Sequence, residues 1–140
     1  MNIEDEATAG KTRDRGWEIG VRRTLPMSAR KLWETLVTQP GLGYWFSSDD
    51  DIVFHQGAQF ETSEDTTAEV VGFKRGELIR MRWHPSSMNF PSTLQVRVLP
   101  SGKDAVLAFH HDRLESSEQR EEMQEHWSDV IDQFEELATK

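Results

Sequence analysis

Ser116-Ser-Glu-Gln-Arg-Glu-Glu-Met-Gln-Glu-His-Trp-Ser-Asp-Val-Ile-Asp-Gln-Phe-Glu-Glu-Leu-Ala138 is the stretch on which the fold turns. Met123, Trp127, Val130, Ile131, Phe134, Leu137 and Ala138 recur at steps of three and four, so they share one face of a helix. Glu121, Glu122, Glu125, Asp129, Asp132, Glu135 and Glu136 surround that stripe. Ser116 is the expected N-cap, because Gln119 lies three residues on and completes a capping box. Glu118 then falls in the first turn, where the positive helix terminus favours a carboxylate. Residues 117–138 would span roughly 33 Å. A helix of that length crosses a whole small sheet, and its stripe has to be buried against something.

The residues before it supply the sheet. Leu94, Val96 and Val98 alternate, as do Ala105, Leu107, Phe109 and His111, with the turn Pro100-Ser-Gly-Lys103 between them. Leu78 to Trp83 places Ile79, Met81 and Trp83 on one face and Arg80 and Arg82 on the other. Ile52–Phe54, Gln59–Thr62 and Glu69–Phe73 are further expected strands. At the other end, Trp17 to Leu25 alternates until Pro26 ends it. Ser28 is placed to cap a helix over Ala29–Val37, which Pro40 and Gly41 break, and Leu42–Phe46 reads as one helical turn. Consecutive short strands joined by tight turns imply an antiparallel sheet. The expected fold is α+β: a bent antiparallel sheet of about six to seven strands, two short helices after the first strand, and one long C-terminal helix over the concave face.

Size and charge exclude several classes. A chain of 140 residues suits one domain, expected over 16–140 behind a polar, aperiodic tail of residues 1–15 that is expected to be disordered. It has no cysteine, which removes disulfide scaffolds, thiolate metal sites and cysteine nucleophiles. The N-terminus lacks the apolar core of a signal peptide, no run is long enough to span a bilayer, and a cytoplasmic location is expected. A formal net charge of −9 argues against nucleic acid and anionic membranes as partners. The charge is uneven, with seven acidic residues and no Lys or Arg between Ser47 and Glu69. An acidic surface of this kind would suit a basic protein partner.

Several runs carry a family resemblance. Ile19-Gly-Val-Arg-Arg-Thr-Leu-Pro-Met-Ser-Ala-Arg-Lys-Leu-Trp33 resembles the opening of the START-like, helix-grip (SRPBCC) superfamily, as do Leu42-Gly-Tyr-Trp-Phe46 and Gly57-Ala-Gln-Phe60. The ending, His111-Asp-Arg-Leu114, Glu118-Gln-Arg120 and His126-Trp-Ser-Asp-Val-Ile131, resembles the branch named for activators of the heat-shock-protein-90 ATPase. His126 stands where that branch often has glycine. The resemblance implies a pocket between the concave sheet face and the last helix. Trp45, Phe60, Met81, Trp83, Leu94, Val96, Leu107, Phe109, Trp127, Ile131 and Phe134 are its expected lining, with His111 as the polar anchor. Such a wall suits a small hydrophobic or aromatic ligand.

Catalysis and metal binding find less support. No serine or carboxylate is placed by motif to complete a nucleophilic triad with His111. His110-His111-Asp112, and His55 with Asp49-Asp50-Asp51, lack the spacing of a zinc or calcium site, so no metal or cofactor is expected. Arg23, Arg80 and Arg82 would reach a ligand only if turned inward, and strand parity turns the latter two outward. Three functions follow in order: a non-enzymatic binder of a small apolar molecule, a protein-interaction module such as a chaperone cofactor, and an enzyme of the polyketide cyclase or aromatase sort.

Overall fold

The protein is described by a computed structural model covering residues 11–12, 16–46, 52–62 and 65–139. Most of the expected tail and the run Asp49–Asp51 lie outside the described residues. Strands β1 (Lys11–Thr12) and β2 (Gly16–Leu25) are followed by helices α1 (Ala29–Val37) and α2 (Gly41–Phe46). Strands β3 (Gln59–Glu61), β4 (Thr66–Lys74), β5 (Leu78–Pro85), β6 (Ser92–Ser101) and β7 (Asp104–Leu114) come next, and α3 (Ser117–Ala138) closes the chain. The seven strands among the described residues form one sheet in the order β1-β2-β7-β6-β5-β4-β3, with every neighbouring pair antiparallel.

Register explains which face is buried. Ile79, Met81 and Trp83 of β5 stand opposite Val96, Leu94 and Ser92 of β6, and all six are buried. Val98, Val96, Leu94 and Thr93 of β6 stand opposite Leu107, Phe109, His111 and Asp112 of β7. Two bulges reset the alternation. In β4, Val71 is extra between the pairs Val70–Met81 and Gly72–Arg80, which returns Phe73 to the inner face beside Trp33. In β7, Asp112 and Arg113 together face Glu18, between the pairs Ile19–His111 and Trp17–Leu114. Arg113 takes the left-handed conformation at φ 60°, and Leu114 becomes buried where strict alternation would have exposed it. A side chain on Gly16, itself at φ 67°, would meet the Leu114 carbonyl at 2.9 Å.

The three helices lie over the inner face. Ser28 caps α1 by accepting from the Lys31 N–H, and Leu32 and Leu36 are its buried residues. The turn into α2 is tight enough that a Cβ on Gly41 would collide with the Thr35 carbonyl, so only glycine fits. In α3, Trp127, Val130, Ile131 and Phe134 are buried, each contributing about 1.5–3 kcal/mol. Two arginines fasten the helix to β2: the Arg120 Nε–H donates to the Glu18 carbonyl at 2.9 Å, and Arg23 reaches Asp132 at 2.6 Å. Arg23 does turn toward the helix side, but onto α3's own carboxylates. Ser116 accepts from the Gln119 N–H at 3.1 Å, and the Gln119 side chain in turn accepts from the Glu115 N–H at 2.9 Å. Ser116→Ala is expected to lower stability by about 1 kcal/mol, read as a shift of the urea midpoint with unchanged slope.

One expected strand is absent. Ile52–Phe54 is irregular, although Phe54 is buried and stacks on Trp45 at 5.6 Å. The reason is competition for the edge of β4. Gly57 N–H donates to the Val70 carbonyl, Val70 N–H to the Ala58 carbonyl, and the Gln56 amide to the Val71 carbonyl. The β-branched run before them has no ladder left to join.

Candidate functional site

The expected lining residues do converge. Trp45, Met81, Trp83, Leu94, Val96, Leu107, Phe109, His111, Trp127, Ile131 and Phe134 are buried, Phe60 is half-buried, and the apolar ones belong to one core cluster. They pack on one another. Phe109 stacks on Trp127 with centroids 4.5 Å apart and planes 13° apart, and Trp127 meets Trp83 edge-on at 6.4 Å. Phe46 bridges Trp45, Phe54, Phe60 and Trp83 at 5.3–5.7 Å. Beneath the middle of α3, side chains fill the space between layers, as they do in most cores.

The larger open space between helix and sheet lies at one end. A groove of about 440 Å3 runs between the first half of α3 and the ends of β4 and β5. Trp83, Met88, Met123 and Trp127 line it as apolar surface, and Glu118, Gln119, Glu122 and His126 rim it from the helix. Thr66, Pro85, Ser87 and Ser116 complete it. Of the expected pocket residues, only Trp83 and Trp127 border this groove. A second concavity, about 500 Å3, touches no helix. It lies along β3, β4 and β5, where Phe60 borders it, and its Arg82 is already paired with Glu69 at 3.0 Å. The groove is therefore the better candidate, since it alone of the two has walls from both layers.

His111 sits behind the groove and is fully engaged. The Trp127 Nε1–H donates to His111 Nδ1 at 3.1 Å. An indole N–H only donates, so Nδ1 is the acceptor and Nε2 carries the proton. Nε2–H then donates to Ser92 Oγ at 2.7 Å, and the Ser92 hydroxyl donates to the Trp83 carbonyl at 2.7 Å. Burial lowers the His111 pKa to about 3, with smaller contributions from His126 and His110. At neutral pH the ring is uncharged and has no free nitrogen. It buttons β5, β6, β7 and α3 together. His126 does come near His111, lying on the rim of the groove with its ring 4.5 Å from that of Trp127. His110 points to the other face of β7, toward Glu18 at 3.7 Å, so the two adjacent histidines cannot share a ligand.

Two participants escape a reading of the sequence. Ser92 carried a usable signal: it stands two residues before Leu94, so alternation turns it inward. Met88 carried none, because it lies in the loop after β5 and is buried by the chain folding back.

Residues 26–139 match the family described as Activator of Hsp90 ATPase homolog 1-like protein. No curated protein matches the chain. Among solved structures it is similar to protein MLL2253 from Mesorhizobium loti, with TM-score 0.73 and 18% identity over 86% of this chain and 95% of that one. It is similar to Aha1 from Colwellia psychrerythraea, described as a dimer, with TM-score 0.70 and 14% identity over 86% and 95%. It is also similar to DynU16, a protein of the dynemicin biosynthetic locus, with TM-score 0.71 and 13% identity. The match covers 81% of this chain but only 44% of DynU16. At such identities the likeness is one of fold.

Proposed function

This chain belongs to the Activator of Hsp90 ATPase homolog 1-like family, and from that premise we propose that it holds a small hydrophobic or aromatic molecule without transforming it. The binding place is the open end of the layer between sheet and α3. The observation that carries this reading is the groove itself, where the half-buried Met123 thioether is backed by the buried side chains of Trp83, Met88 and Trp127. Its volume of about 440 Å3 lies within the range of small-molecule sites. The deeper residues, Leu94, Val96, Leu107, Phe109, Ile131 and Phe134, act as a rigid base under Trp83 and Trp127 rather than as contact surface. His111 serves as a fixed support for the Trp127 indole. With both nitrogens bonded, it is not itself available as a general base for a cyclase-like reaction.

Native mass spectrometry of the protein purified from its own host is expected to show a co-purifying small molecule. Ser87 is exposed and lines the groove, so Ser87→Phe fills it from the solvent side. That variant is expected to lose the ligand, and at least tenfold in affinity for a neutral naphthylamine probe, at an unchanged melting temperature. Equal probe binding by the variant would remove the groove from consideration.

A second reading rests on α3's outer face. Glu121, Glu122, Glu125 and Asp129 are exposed and have no ion-pair partner among the described residues. They offer a basic protein a row of carboxylates. A protein rather than a small molecule in the native spectrum, lost on raising salt, would favour it.

A further inference from the structure

The three helices among the described residues cover the inner side of the sheet, and none of them lies over its outer side. There the register sets out an ordered array. Arg22 of β2 stands opposite Ala108 of β7, and Ala108 stands opposite Arg97 of β6. One step along the strands, Gly20, His110, Gln95 and Arg80 form the next row across β2, β7, β6 and β5. Arg22, Arg97 and Arg80 are all exposed. Arg80 gives its Nε–H and one Nη2–H to the Gln95 amide oxygen at 3.0 and 2.8 Å, a neutral partner that leaves its charge uncompensated. The side chains of Arg22 and Arg97 make no hydrogen bond or ion pair with any described residue. On one side acidic side chains enter in the following row, where Glu18, Asp112 and Glu69 bound the patch and Glu69 holds Arg82; on the other, Asp104 stands two rows beyond Ala108.

A chain of net charge −9 thus carries on this face three guanidinium groups with no carboxylate partner among the described residues, around Gly20, Ala108 and the half-buried His110. We propose that this outer sheet face docks an extended acidic segment of a partner protein, with Arg22, Arg97 and Arg80 as its contacts. Spacing selects the segment. Arg22 and Arg97 lie two strand spacings apart, roughly 10 Å, so one carboxylate above Ala108 can reach both. The row of Arg80 lies about 6.8 Å further along, which is the repeat between alternate side chains of an extended chain. A carboxylate at every second residue therefore meets successive rows. Gly20 and Ala108 let a backbone approach, and each contact can be a fork of two charge-assisted hydrogen bonds. A long polyphosphate suits the face poorly, because it would run past the patch onto Glu18, Asp112 and Glu69.

The test is fluorescence anisotropy with a labelled peptide of about five residues, Glu at its second and fourth positions and Ser elsewhere, which sets one carboxylate on each basic row without reaching the acidic one. The same peptide with Gln for Glu and a single-stranded oligothymidylate serve as comparisons. Saturable binding of the Glu peptide is expected. It should weaken at least tenfold in Arg22→Gln/Arg97→Gln, fall with salt, and be unchanged in Lys103→Gln at the distant β6–β7 turn. Circular dichroism checks that the variants fold. Equal binding by the double variant, or no binding by the parent protein, overturns the proposal. So does oligothymidylate binding that is tighter and depends on the same two arginines.

Discussion

Trp127→Ala is expected to cost about 3–5 kcal/mol of folding free energy, a large part of the stability of a domain this size. Three losses coincide at that position. The indole is fully buried, so truncation leaves a void among Phe109, Trp83 and Ile131. The stacked face against Phe109, at 4.5 Å, disappears. The third loss is the Nε1–H that saturates His111, which leaves a buried acceptor unpaired. Trp127→Phe separates these terms. It keeps most of the volume and the stacking but removes the donor, so it should cost about 1–3 kcal/mol. Urea denaturation of both variants measures the difference. A loss below about 1 kcal/mol for the alanine variant would mean that α3 does not rest on the sheet through this residue.

The second large effect is on pH dependence. In the unfolded chain the His111 imidazole takes up a proton near pH 6.5, whereas in the folded protein burial holds it neutral down to about 3. Above pH 6.5 the ring is uncharged in both states, and its folded interactions contribute in full. Below that, the unfolded state binds a proton that the folded state refuses. Stability therefore falls with acidification by about 1.4 kcal/mol per pH unit through this one group. The decline continues until the folded ring itself protonates near pH 3. Protonating it in place would turn Nδ1 into a donor facing the Trp127 N–H, which is why the folded state resists. His111→Gln supplies an amide that can accept from Trp127 and donate to Ser92 without titrating. Denaturation at pH 7, 6 and 5 should show a shallower decline for this variant, by about 1.4 kcal/mol per unit below pH 6. His110 and His126 are retained in both proteins and cancel in the comparison. Identical slopes would show that the buried ring is charged in the folded state.

Much of this architecture could be read before any coordinates, for definite reasons. The extent of α3 matched because a capping pair, a first-turn glutamate and seven apolar residues all specify the same helix. The inward set of β5, β6 and β7 matched because alternation over four or more residues leaves only one choice of face. Ile52–Phe54 misled because β-branched residues signal strand propensity, while the available hydrogen-bonding edge was set by Gln56 and Gly57 nearby. Convergence of the lining residues was also legible. Whether they enclose a chamber was not, because periodicity reports direction and says nothing about whether opposing side chains meet. The groove depends on Met88, whose burial comes from a loop path with no periodic signature. The paired rows of Arg22, Arg97 and Arg80 are invisible without register, since β2 is remote in sequence from β5 and β6 and meets them only through β7.

The bulge at Asp112 and Arg113 gives the junction between sheet and helix a function of its own. Counting from His111, three residues bring the chain back to the interior at Leu114, and two more reach Ser116, the serine that caps α3. The interval acts as a ruler. It tolerates changes of residue identity at its exposed mark, Arg113, far better than changes of length. One residue more or fewer would turn the whole apolar side of the helix away from its seat, so chain length here sets the rotational phase of everything that follows.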